Sequence, residues 1–196
     1  MTRTRTIQII AAIVVIAAGA WGASRVLERV VAPEPAAEPA PAPPAPVASP
    51  HIIATLYYAD QDGRALVAVQ REVPLGEGVR DQGRQILESQ LGPAPQPYRS
   101  VIPPGTMLRA FYITERGDAF VDLSPEITTA HPGGTTNELL TVHALVNAVT
   151  ANLSSVRRVQ ILISGKEADT LAGHVDLRRP FERDASVTRE QPKPTQ

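Results

Sequence analysis

The chain has 196 residues, a formal charge of −1 and no cysteine. That length allows one domain with accessory segments, or two small domains at most. The near-neutral charge gives no global field for gathering nucleic acid or an acidic substrate. The missing thiols exclude disulfides, thiolate metal sites, cysteine nucleophiles and a lipid-modified cysteine.

Residues 1–6 are a short basic N-terminus carrying Arg3 and Arg5, and an apolar run broken only by Gln8 follows from Ile7 to Ala23, with Trp21 near its far end. Residues 7–24 are read as a transmembrane anchor or a signal segment. At roughly 1.5 Å per residue, such a run just crosses about 30 Å of hydrocarbon. Gly22-Ala23-Ser24 suits cleavage, whereas Val26, Leu27, Val30 and Val31 prolong the apolar character and favour retention. A retained, single-pass segment with its N-terminus on the cytoplasmic side of the bacterial inner membrane leaves the rest of the chain extracytoplasmic.

Residues 25–50 form a linker whose core, APEPAAEPAPAPPAPVASP (32–50), is almost pure Ala-Pro. It cannot bury enough apolar surface to fold, and its prolines favour extended polyproline II. Residues 51–183 make one domain, and 184–196, ending in EQPKPTQ, are expected to be a disordered tail.

Within the domain the periodicities alternate. IIATLYY (52–58) and RALVAVQREV (64–73) are strand-like runs around Asp60-Gln61-Asp62-Gly63, a hairpin signal because glycine adopts φ > 0 without a Cβ penalty. Val79, Gly83, Ile86, Leu87 and Leu91 then fall on one helical face, stopped by Gly92-Pro93. After a proline-rich connection (93–106), MLRAFYI (107–113) and DAFVDL (118–123) predict a second strand pair. A long helix follows Gly133-Gly134, with Thr135 and Glu138 fitting a capping box. Its apolar stripe is Leu139, Val142, Val146, Val149 and Leu153. RRVQILIS (157–164) is the last strong strand. The order ββαββαβ predicts an α+β fold: a mixed sheet with two helices packed on one face.

Six stretches in this order resemble the GerMN domain of spore germination and sporulation proteins. Leu56-Tyr57-Tyr58 with Asp62-Gly63, and Leu66 through Val73-Pro74, resemble its opening hairpin. Leu91-Gly92-Pro93 and Ile102-Pro103-Pro104-Gly105-Thr106 resemble its helix end and the approach to the next strand. Val121-Asp122-Leu123-Ser124, then Leu145-Val146-Asn147 with Thr150, and Val159–Ile163 with Gly165-Lys166 match the remainder. The resemblance implies a membrane-tethered, extracytoplasmic module shaped like the ring-building domains of envelope-spanning assemblies. It implies no enzyme activity, no cofactor and no catalytic residue. The chain departs from lipidated relatives in lacking a cysteine, and from the sporulation proteins in having one domain copy where they have two.

Read as chemistry, the candidate residues are weak. Gly165-Lys166 fails as a phosphate loop because Gln160 stands where the first glycine belongs and Glu167 follows the lysine. His51, His131, His143 and His174 are not arranged in a hydrolytic motif. His143 flanks the helical stripe and is expected to be packed, and His174 is expected on a short returning edge segment, 173–177. His131 lies near the long helix's N-terminus, whose amides suit an anion, although a plain loop histidine is the commoner outcome of such a placement. Asp60 and Asp62 lack the further oxygens of a calcium loop, and Glu138 is assigned to its cap. No catalytic, metal or cofactor site is expected.

The expected surface is one of interaction: Tyr98 and Arg99 in the prolyl connection, and Arg157 with Arg158 before the last strand. The partners foreseen are the membrane, through the N-terminal segment, and an envelope protein or a second copy of the chain; nucleic acid is not among them. The alternative is binding of an envelope polymer such as peptidoglycan by the arginines.

Overall fold

The computed structural model describes residues 50–189. Among them no helix is long and apolar enough to cross a membrane, and the apolar run from Ile7 to Ala23 lies outside the described residues.

The expected hairpin forms from β1 (His51–Ala59) and β2 (Leu66–Pro74), antiparallel in the register His51↔Pro74 through Ala59↔Leu66. Its turn is built by Asp60, whose carboxylate accepts the N–H groups of Arg64 and Ala65 while Gly63 takes φ 68°. Turn chemistry therefore accounts for Asp60, as its sequence context implied. Helix α1 (Gly78–Leu91) buries Gly83, Ile86, Leu87 and Gln90. Of the predicted stripe, Val79 is exposed, and the buried polar Gln90 was not foreseen. β3 (Leu108–Ile113) and β4 (Asp118–Leu123) form the second antiparallel pair, with a register shift between Leu108 and Ala110.

After a short helix α2 (Glu126–Thr129), the long helix α3 (Thr135–Asn152) leads to β5 (Arg158–Ile163), which lies parallel to β4. Ser164 and Gly165 both have positive φ, 54° and 77°, the geometry of a two-residue type I′ turn. They return the chain as β6 (Lys166–Glu167) against β5. β7 (Phe181–Glu182) pairs with the other end of the same β5 edge, and β8 (Thr188–Arg189) lies parallel to β2.

The expected α+β class holds, with the strands in two mixed sheets. One is β1-β2-β8; the other runs β3-β4-β5-β6 with β7 also on β5. α3 packs against β1, β5, β7 and α1. It is consequently buried on more than one face, and polar residues on it (Glu138, Thr141, His143, Asn147) are buried along with its apolar ones. The single apolar stripe expected from the spacing is too narrow a description. Residues 184–189, assigned from sequence to the tail, include β8, and residues 190–196 lie outside the described residues.

Candidate interaction site

The prolines between 93 and 104 keep that connection from regular pairing, since each lacks an amide donor and fixes φ. It nevertheless touches the sheet once. Arg99 and Ala59 exchange both backbone hydrogen bonds (2.9 and 3.1 Å), adding one antiparallel residue to the end of β1. Beyond this bridge the chain sinks, so that Ile102 and Pro103 are buried. Opposite lie Pro132 and the first turns of α3, and between the two walls is a groove of about 290 Å³. Arg99 and Asn137 stand on its exposed rim, and Ile102, Pro103 and the buried Leu140 line it with apolar surface.

A hydrogen-bonded chain holds the walls together. The buried Thr141 hydroxyl donates to the carbonyl of Val101 (2.7 Å), leaving its lone pairs for His131 Nε2–H (3.0 Å). His131 Nδ1 in turn accepts the N–H of Gly133 (3.0 Å). Only the neutral Nε2–H tautomer satisfies both contacts. Partial burial lowers the histidine's pKa, with the charge of Glu138 pulling the other way. His131 is thus a loop histidine that acts as a strut between the groove walls.

Glu138 has a different role from the capping one expected. Gly134 occupies the N-cap and makes no side-chain cap bond. The Glu138 side chain is fully buried and reaches the loop after β6. Its Oε2 accepts the amides of Ala172, His174 and Val175 at 3.0–3.1 Å, and its Oε1 accepts His174 Nδ1 at 2.6 Å. Burial pushes this carboxyl's pKa up, but the bonds from Val175, Ala172 and the His174 ring and amide together outweigh it and hold the pKa at about 2. A local capping box cannot be told in sequence from a contact made 34 to 37 residues away. His174 is correspondingly not on an edge strand: one bridge, Thr170↔Asp176, is the pairing in that loop.

With this geometry in view, comparison with known proteins is decisive. A family model described as "Germane: Sporulation and spore germination" matches residues 55–169. The chain belongs to this GerMN family. The first GerMN domain of the sporulation protein GerM from Bacillus subtilis is 25% identical, with a TM-score of 0.51 over 68% of this chain and 96% of that one. The tandem GerMN domains of GerM are 21% identical, with a TM-score of 0.52 over 69% of this chain and 46% of that one. This chain therefore spans about half the length of the tandem pair. A search of curated protein sequences gave no match.

In this GerMN domain the four residues expected on an interaction surface fall in two places. Tyr98 is half-buried against the core and Arg99 is on the groove rim. Arg157 and Arg158 are instead at the turn between β3 and β4, where their amides reach the Gly117 carbonyl. The Arg158 guanidinium is ion-paired with Asp118 (2.8 Å), which makes it a strand-end contact. Lys166 is exposed beside the I′ turn, whose Gly165 N–H donates to Asp122 Oδ1 at 2.6 Å. His143 is packed as expected, edge-on to Phe181 with ring centroids 5.8 Å apart. His51 is exposed at the start of β1.

Sequence reasoning missed the residues that close the free edge of β1. The Gln90 amide accepts the Tyr57 N–H (2.8 Å) and donates to the Tyr57 carbonyl (2.7 Å). Asn152 does the same for Thr55, at 2.8 Å in both directions. With Arg99 on Ala59, three alternate residues of that edge are satisfied. The available signal was an amide at the end of each helix, next to positions of the apolar spacing.

Proposed function

We propose that the chain is a membrane-anchored, extracytoplasmic GerMN module that works by protein–protein contact in the bacterial cell envelope and catalyses no reaction. Membership in a sporulation and germination family supports a structural or assembly role there. The apolar run at 7–24 and the Ala-Pro linker at 25–50 support tethering on the outer side of the cytoplasmic membrane. The observation that carries the interaction reading is the preformed groove beside Arg99, with its walls tied by Thr141 and His131.

The hydrogen bonding of the β1 edge supports a narrower form of this reading. An exposed strand edge is the usual route to sheet-to-sheet association, and on β1 that route is occupied by Gln90, Asn152 and Arg99. Contact is therefore assigned to the groove and neighbouring faces rather than to the β1 edge. The test is capture by the full-length chain from envelope extract, run beside pelleting with purified cell wall. A discrete protein partner, with no chain pelleting, supports the reading. Pelleting that disappears in an Arg157→Ala/Arg158→Ala variant, with no protein captured, overturns it in favour of polymer binding.

A further inference from the structure

The groove beside Arg99 has a size, a lining and a charge that together restrict its occupant. Its volume of about 290 Å³ equals roughly ten water molecules at about 30 Å³ each. That holds about two medium side chains and lies at the lower limit of pockets for drug-sized ligands and cofactors. Ile102, Pro103 and Leu140 line it with apolar surface, and no aromatic ring is available there to stack on a sugar.

Charge sits at the rim. Arg99 is exposed and makes no ion pair among the described residues. On the hairpin turn, Asp60 is already committed to the amides of Arg64 and Ala65 and to the Arg189 guanidinium at 3.2 Å. Asp62, exposed on the same turn, is not paired with Arg99 either, which leaves the guanidinium open to a carboxylate from outside.

The backbone at the rim is also partly unused. Arg99 spends its N–H and C=O on Ala59. Alternation in an extended segment turns those of Ser100 to the other side, where neither has a partner among the described residues. An incoming extended chain can take them, as in strand addition. Because the chain Val101–Thr141–His131–Gly133 already fixes both walls, little ordering cost remains for the ligand to offset.

From these observations we infer that the groove takes an extended segment of a partner protein carrying two apolar side chains at alternate residues, followed on the same face by an aspartate or glutamate. This deepens the interaction reading and rests on it.

The experiment is a titration of the full-length chain in nanodiscs, with isotope-labelled Ile and Leu methyls, by the blocked peptide acetyl-Val-Ala-Leu-Ala-Glu-amide and its Gln counterpart. The Ile102 and Leu140 methyl resonances should respond first. The Gln peptide should bind about three- to fivefold more weakly, the contribution of an exposed ion pair. Arg99→Glu, an exposed change that leaves the fold intact, should reverse that order. Equal binding of the two peptides, or shifts confined to methyls away from the groove, would overturn the inference. Protein capture whose crosslinks avoid the groove would also overturn it while sparing the interaction reading. The expected titration together with no captured protein would uphold the groove chemistry and sink that reading instead.

Discussion

A carboxylate taken out of water is stable only where other groups hold its charge, and Glu138 shows how much of a loop can be devoted to that task. Three consecutive-region amides and one imidazole converge on it. Replacing it by glutamine puts an N–H₂ against donors, so Glu138→Gln should lower stability by about 1–3 kcal/mol in chemical denaturation. Exchange protection of the Ala172, His174 and Val175 amides should fall with it; unchanged protection would show that the loop does not depend on Glu138. The pH dependence follows from the direction of the shift. The folded pKa, about 2, is below the ordinary 4.5, so the stabilisation is full above about pH 4.5 and is lost as pH falls toward 2. His131 has the depressed pKa of a partly buried imidazole. Its neutral form is preferred in the fold, so its contribution is complete above its ordinary value of 6.5 and declines as pH drops through the lower folded value. Mild acid should therefore loosen the Val101–Gly133 strut first, visible as amide exchange at Gly133, and a His131→Phe variant should lose that pH response.

At the scale of elements, close approach and edge protection explain residues that periodicity cannot. α1 lies so near β3 that a Cβ on Gly83 would meet the Phe111 ring at 2.0 Å. Gly83→Ala should cost about 1–3 kcal/mol through overpacking, measurable as a lowered denaturation midpoint; a neutral effect would mean that the helix can shift away from Phe111. The guarded β1 edge makes a second prediction. A Gln90→Ala/Asn152→Ala variant leaves the Tyr57 and Thr55 backbone groups without partners. Its apparent mass by sedimentation should rise with concentration relative to the parent chain, and equal behaviour of the two would remove these amides from edge protection. Much at this scale was legible beforehand: both strand pairs, both long helices and the Gly165 turn follow from alternation, helical spacing and glycine placement. Gln90 and Glu138 were not. A polar residue at a helix end reads as solvated or capping until the strand or loop it serves is brought to it by the fold.

The molecule as a whole has its last described residues drawn across α3. β7 pairs with β5 and β8 with β2, so residues 181–189 bond to both sheets. Asn147, buried on α3, fixes the crossing by donating to the Asp184 carbonyl (2.8 Å) and accepting its N–H (3.1 Å). Asn147→Ala should cost about 1–3 kcal/mol and raise amide exchange at Asp184, Leu66 and Thr188; loss at Asp184 alone would limit Asn147 to a local anchor. Sequence reading ended the domain near 183 because Asp184 through Arg189 is polar and short of apolar residues, although a buried amide elsewhere anchors it. The fold also separates the residues expected on an interaction surface. Arg99 lies on the groove because prolines hold its segment extended beside β1, whereas Arg158 is spent on Asp118, a partner 40 residues away. The groove's other wall comes from α3, and nothing in the local sequence of 98–104 announces that helix. The claim on which the account rests is contact through this groove. It is tested most directly by placing a photo-crosslinking residue at Ser100 in the full-length chain in intact cells. The account predicts a discrete protein adduct that Arg99→Glu diminishes. Adducts to wall polymer alone, or a protein adduct indifferent to Arg99, would contradict it.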